Sequence, residues 1–231
     1  MKKYLWDKTL YFLNFLSPSA RRQLIAISYL TKHYGHFNSI KTKQSVDSKN
    51  NPLPWITYPT IEYLSNIDFS KEIVFEVGSG NSTLWFAKIC KKIFSVESEK
   101  EWFNKILEKT KNLDNVELIY VENVNDVKNY DNLLNSSIMF VDGLERENAL
   151  DYLINNFKNL DLKFVIVDNS DRQVIFNKIQ EFVKVSGWVD IEFVGFGPIN
   201  RYIWSTTVII NPNKKIPRLH KHISPIINSF K

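Results

Sequence analysis

The chain has 231 residues, 44% of them hydrophobic and 14% aromatic, which suits one α/β domain with an N-terminal extension and a sizeable core. Its formal charge is +5, but lysines and acids are interspersed, as in "ESEKEWFNKILEKTK", which argues against a nucleic-acid partner. The single cysteine, Cys90, excludes an intrachain disulfide, and no apolar stretch reaches the ~18 residues of a membrane span.

Residues 1–35 carry two helical patterns. Leu5, Trp6, Leu10, Leu13 and Leu16 form the first, and "RRQLIAISYLTKHYG" forms the second after the break "SPS". Both are expected to pack on the core or cap the site rather than bind a membrane. Asp7 and Lys8 interrupt the apolar run a signal peptide needs, so a cytoplasmic protein is expected. Residues 38–53 show no apolar periodicity and read as a loop. Pro59 is placed to open a helix, with Thr57 and Tyr58 before it either near the ligand pocket or its lid, or in helix initiation and packing. This divides the chain into an extension (1–58), a domain (59–212) and a tail (213–231).

From Lys71 onward strands and helices alternate. Strands are expected over 72–77, 93–97, 116–121, 137–142 and 162–168. Helices are expected over 99–111, opened by a capping box at Ser98, over 146–159, and over 172–186, stopped by Gly187. A short helix fits within 123–135. Short apolar strands alternating with helices predict a parallel sheet covered on both faces. "WVDIEFVGF" and "RYIWSTTVII" are separated only by a turn, so this last pair is antiparallel.

Ligands of such sheets bind beyond the carboxyl ends of the strands, so the residues there carry the chemistry. The first strand ends at Glu76 and the turn Gly78-Ser79-Gly80-Asn81-Ser82. The second ends at Glu97, whose carboxylate can accept from both hydroxyls of a ribose. The fourth ends at Asp142-Gly143, the fifth at Asp168-Asn169.

"FEVGSGNST" followed by "FSVESE" resembles motifs I and II of the class I S-adenosylmethionine (SAM)-dependent methyltransferases, over about residues 70–210. The resemblance implies a three-layer Rossmann-like α/β fold whose mostly parallel seven-stranded sheet ends in an antiparallel hairpin. It implies a SAM site made by Glu76, Gly78, Ser79, Gly80, Asn81, Ser82 and Glu97, with Asp142 beside it. Asn81 and Ser82 stand where the family often has a third glycine, and their side chains are expected to bond the methionine carboxylate. "PLPWITYP" beside the glycine turn is also similar to a group of bacterial methyltransferase-like proteins.

A dinucleotide site is the rival, but its pattern requires glycine where Thr83 stands. A SAM-binding protein that transfers no methyl group is a further alternative. Asp142, Asp168 and Asn169 are similar to the ligand set of metal-dependent O-methyltransferases, which implies Mg²⁺ lowering the pKa of an acceptor hydroxyl. That family has Lys where this chain has Glu145, next to Arg146. Without a metal, Asp142 or Asp168 is the candidate general base. His220 and His222 lack companion ligands and read as surface residues. The expected activity is O-methylation of a small-molecule or saccharide-like acceptor; the reading leaves room for a homo-oligomer.

Overall fold

The apolar runs after Lys71 form seven strands: β1 (Ile73–Val77), β2 (Lys92–Glu97), β3 (Val116–Tyr120), β4 (Ile138–Val141), β5 (Phe164–Asp168), β6 (Val189–Gly195) and β7 (Trp204–Ile210). The structure, a computed structural model, describes residues 17–122, 127–144 and 146–219. The first helical pattern (5–16), Glu145, His220 and His222 lie outside the described residues.

The strands make one sheet in the order β3-β2-β1-β4-β5-β7-β6. Pairing from β3 to β5 is parallel, with Glu76 of β1 level with Ser95 of β2 and Phe140 of β4. The C-terminal pair is antiparallel as expected, and β7 runs back between β5 and β6. Burial explains the insertion. Trp204 to Ile209 are all buried, so β7 belongs inside the sheet. β6 alternates between exposed and half-buried residues and suits the edge.

Helices α1 (Pro18–Tyr29) and α2 (His36–Thr42) precede the sheet, joined by a π-type turn at Leu30–Tyr34. Then come α3 (Tyr58–Leu64), α4 (Asn81–Ala87), α5 (Lys100–Thr110), α6 (Arg146–Asn156) and α7 (Gln173–Ser186). Residues Val127–Asn135 form a 3₁₀ helix in the weakest predicted connection. The strands alternate their side chains between two cores. Phe75, Val77, Val141 and Val165 pack with Leu150 and Leu153 of α6 and Phe182 of α7. Val74, Ile93, Phe140 and Ile166 pack with Leu64 of α3 and Phe86 of α4. Cys90 joins the second core, and burial pushes its thiol up to about 12, so it is inert.

Three expectations need correction. Residues 38–53 are not all loop, because α2 runs to Thr42. What fixes it is Ser39, whose buried hydroxyl donates to the Val46 carbonyl (2.7 Å) and accepts from the Val46 N–H (3.1 Å), a contact invisible to apolar periodicity. The capping box at Ser98 is not made: α5 has Glu99 at its N-cap without a side-chain bond. Glu97 instead accepts from the N–H groups of Ser98 and Glu99, both at 2.9 Å. Finally, the second N-terminal pattern meets the core only at its end: no residue of α1 is buried, whereas Leu30 and Tyr34 of the π-type turn pack against the second core. Gly187, with φ 69°, stops α7 as expected.

Candidate active site at the carboxyl ends of the strands

The turn after β1 is held from below by Glu76. Its side chain is wholly buried and accepts from Ser82 Oγ (2.5 Å), Thr83 Oγ1 (2.5 Å) and Ser95 Oγ (2.6 Å). Thr83 Oγ1 in turn accepts from the Gly80 N–H at 2.9 Å. Glu76 therefore shapes the turn from underneath and does not line the cleft. Burial pushes its carboxyl up to about 7, against the opposing pull of the three hydroxyls. Ser82 is committed to Glu76, and Asn81 Nδ2 donates to the Ser45 carbonyl at 2.8 Å. Both residues line the cleft, and in this arrangement Ser82 braces the turn while Asn81 ties down the 43–55 segment.

The two glycines of the turn have different reasons. Gly78 has φ 93°, and a Cβ there would run into the backbone of Gly143, so the β1 and β4 ends touch. Gly80 has an extended φ of 174° that any residue adopts, and a Cβ there would meet nothing nearer than Ser82 Oγ at 3.7 Å. Only the space beside Gly80 is kept open.

Glu97 closes the same corner. One oxygen accepts from the Ser79 N–H (3.0 Å) and Ser79 Oγ (2.9 Å), the other from Ser98 and Glu99. Of these four donors the Ser79 hydroxyl is the one that can rotate away and leave room for a ligand hydroxyl. Trp102 of α5 donates to the Ser79 carbonyl at 2.7 Å and lines the cleft beside it.

At the ends of β4 and β5, Arg146 takes a central place. Its guanidinium donates to Asp142 Oδ1 (2.6 Å) and to the Gly143 carbonyl (2.5 Å) while nearly buried. Asp168 is buried, and its Oδ1 accepts from Trp204 Nε1 (3.0 Å) and Thr206 Oγ1 (2.6 Å). Burial pushes the Asp168 carboxyl up to about 6 despite those bonds. Burial and the Asp168 charge also raise Asp142, with Arg146 opposing. Asn169 lines the cleft in the left-handed region, φ 54°.

Half of this donor set is already engaged within the chain, which weakens the case for a divalent cation. A guanidinium already holds one Asp142 oxygen, and two N–H and O–H donors hold Asp168 Oδ1. A carboxylate oxygen so engaged offers little to a hard ion that needs six oxygens around it. No cluster of three or more His, Cys, Asp or Glu with metal-binding geometry occurs among the described residues.

All these strand ends open on one cleft of about 590 Å³. Gly78, Ser79, Gly80, Asn81, Ser82, Glu97, Asp142, Asp168 and Asn169 all line it, and of the predicted site residues Glu76 alone does not. Its outer walls come from segments the motifs do not mark. They are Trp55, together with Ile199, Asn200 and Tyr202 of the β6–β7 connection and Trp204 at the start of β7. Trp55 Nε1 donates to Asn200 Oδ1 at 3.2 Å and joins the walls at the mouth. Ile199 has φ 70°, a costly conformation for a β-branched residue. Of the two readings of Thr57 and Tyr58 the geometry fits packing: neither lines the cleft, Thr57 donates to the Phe193 carbonyl and Tyr58 stacks on Tyr34.

No family model matches the chain, and comparison with curated proteins gives no match. Solved structures do match. A precorrin-6y C5,15-methyltransferase from Geobacter metallireducens is 14% identical over 66% of this chain and 86% of that one, with a TM-score of 0.52. A Streptococcus mutans protein solved with S-adenosylhomocysteine (SAH) is 13% identical over 66% and 96%, with a TM-score of 0.51. TrmK of M. capricolum, also in complex with SAH, is 12% identical over 73% of each chain, with a TM-score of 0.52. At these identities the likeness is one of architecture: the chain has the class I methyltransferase fold.

Proposed function

We propose that the chain is a SAM-dependent methyltransferase acting on a hydroxyl of a small-molecule or saccharide-like acceptor. The observation that carries this reading is the space kept open beside Gly80, bounded by Glu97 at the end of the neighbouring strand and leading to Asp168. The residues fit the cofactor. Glu97, with the Ser79 hydroxyl turned aside, would accept from the ribose hydroxyls, and Trp102 offers an aromatic face beside it. The bare backbone of Gly80 gives close approach. Bound SAM supplies an electrophilic methyl carbon.

The outer half of the cleft would take the acceptor. Aromatic faces of Trp55, Tyr202 and Trp204 with the amide of Asn200 suit a hydroxyl-bearing molecule that is part apolar, part polar. Asp168 would accept the hydroxyl proton. Trp204 and Thr206 fix its Oδ1, which leaves Oδ2 for that task. Arg146 holds Asp142 in place and supplies fixed positive charge beside it. Positioning supplies most of the acceleration in such a transfer. The dinucleotide rival has little support: Thr83 turns its hydroxyl to Glu76, and β7 is inserted antiparallel beside β5.

Calorimetry with SAM, SAH and NAD tests the reading, with Gly80→Val as the control. SAM and SAH should bind to the wild type, NAD should not, and the variant should fold but bind neither. Binding of NAD, or normal SAH binding by Gly80→Val, overturns it. Methyl transfer to hydroxylated acceptors then separates an enzyme from a protein that only holds SAM.

A further inference from the structure

The positive charge of the chain is not evenly spread. Residues 1–43 contain eight lysines and arginines and one acid, Asp7. The rest of the chain contains 22 basic and 24 acidic residues. The whole positive excess therefore lies in the N-terminal fifth of the sequence.

The same segment leaves apolar side chains bare. On α1, Leu24, Ile25 and Ile27 are 40, 52 and 58% exposed, beside Arg21 and Arg22. On α2, Ser39 points inward, while Phe37 is 58% and Ile40 38% exposed, next to Lys41. Residues 1–16, read as sequence, add five aromatics and three lysines.

Each candidate partner would use these groups differently. A nucleic acid would engage the basic residues and has no use for Leu24 and Ile27. A second copy would press two strongly positive segments together, which like charges oppose. A bilayer surface rich in anionic lipid uses both: the aliphatic side chains enter the headgroup boundary, aromatics favour that boundary, and Lys and Arg meet the lipid charge. No described helix is long and apolar enough to cross a membrane, so the contact lies on the surface. We propose that α1 and α2 form a docking face for an anionic lipid surface. This does not depend on the methyltransferase reading, although Lys43, just past α2, lines the cleft and places its mouth next to that face.

Flotation of the full chain with phosphatidylcholine vesicles, with and without phosphatidylglycerol, tests it. Partition should require phosphatidylglycerol and weaken as salt is raised. Arg21→Gln with Arg22→Gln should lower it roughly ten- to thirty-fold, at about fivefold per basic residue. Leu24→Asp with Ile27→Asp should abolish it. None of these side chains belongs to either core, so the melting temperature should stay unchanged and show that the variants fold. Equal partition into both vesicle types, no partition at all, or partition indifferent to both double variants overturns the proposal. So does a result in which Leu24→Asp with Ile27→Asp only turns a dimer into a monomer, or the arginine pair only weakens binding to a short RNA duplex.

Discussion

The inner and outer halves of the cleft are built in opposite ways. In the inner half the polar groups that shape the turn are bonded to one another: Glu76 to three hydroxyls, Thr83 to Gly80, Glu97 to four donors. Its contacts are short in sequence or lie on neighbouring strands. The outer half is assembled from Trp55 and the β6–β7 connection, with Tyr202 65% exposed and Ile199 in a strained conformation. A site half closed on itself and half left open separates two tasks. Under the proposed function, the inner half would be rigid because its ligand is always the same, and the outer half would carry the discrimination the acceptor needs.

The sharpest way to break this contrast is at the floor. Gly78→Val combines a positive φ with a clash against Gly143 and should cost roughly 3–6 kcal/mol, enough to unfold a marginal domain. Denaturant titration beside Gly80→Val checks it: equal stability of the two would show that the Gly78–Gly143 contact does not make the floor rigid. Next, Asp168→Asn should lower the transfer rate about 10²–10⁴-fold and leave SAH affinity nearly unchanged. The wild-type rate should climb as pH rises through about 6, because the carboxylate must be ionised to take a proton. That limb should vanish in the variant; its survival would move the base elsewhere.

Glu97→Ala should weaken SAH about ten- to a hundred-fold, from the loss of about 1.5–3 kcal/mol of charge-assisted bonding. It should also lower the melting temperature, since four chain donors lose their acceptor; unchanged affinity by calorimetry would remove Glu97 from the ligand site. Glu76 gives a subtler effect. Its folded carboxyl lies near 7 against a usual 4.5, so the folded state binds the proton more tightly. Its contribution therefore makes stability rise as pH falls from about 7 to 4.5 and is lost above that window. Glu76→Gln should flatten this part of the curve, and a variant with the wild-type slope would place the titration in another group. The smallest effect is expected at Tyr202→Ala: stability unchanged within about 0.5 kcal/mol, SAH affinity unchanged, and the acceptor KM raised roughly two- to tenfold. An unaltered KM would leave the outer wall without a role for this ring.

The legibility of the sequence follows the same division. Gly78, Gly80 and Glu97 can be found because strand, turn and helix are contiguous and the strand end fixes where each backbone group goes. Side-chain direction is less accessible. Asn81 points to Ser45, 36 residues earlier, and Ser82 points down to a buried Glu76; neither choice is visible in a run of turn residues. Arg146 stands four residues after Asp142 at a helix start, a signal for an ion pair that the motifs do not include. Trp102 carries no signal of its own in the sequence, Trp55 only that of the stretch "PLPWITYP", which gives it no role, and tertiary placement brings both to the cleft. The order of β7 and β6 is likewise a matter of burial, which the alternation of β6 hints at and the full burial of β7 decides.

The contact between Gly78 and Gly143 has a mechanical consequence. With two backbones touching there, the ends of β1 and β4 cannot slide past each other, and the floor has no hinge of its own. Any breathing that lets a spent ligand escape must come from the walls. The Trp55–Asn200 hydrogen bond spans them at the mouth, and a bond of that kind is worth about 0.5–1.5 kcal/mol. That is comparable to thermal energy, so this latch opens frequently while the base beneath it stays still.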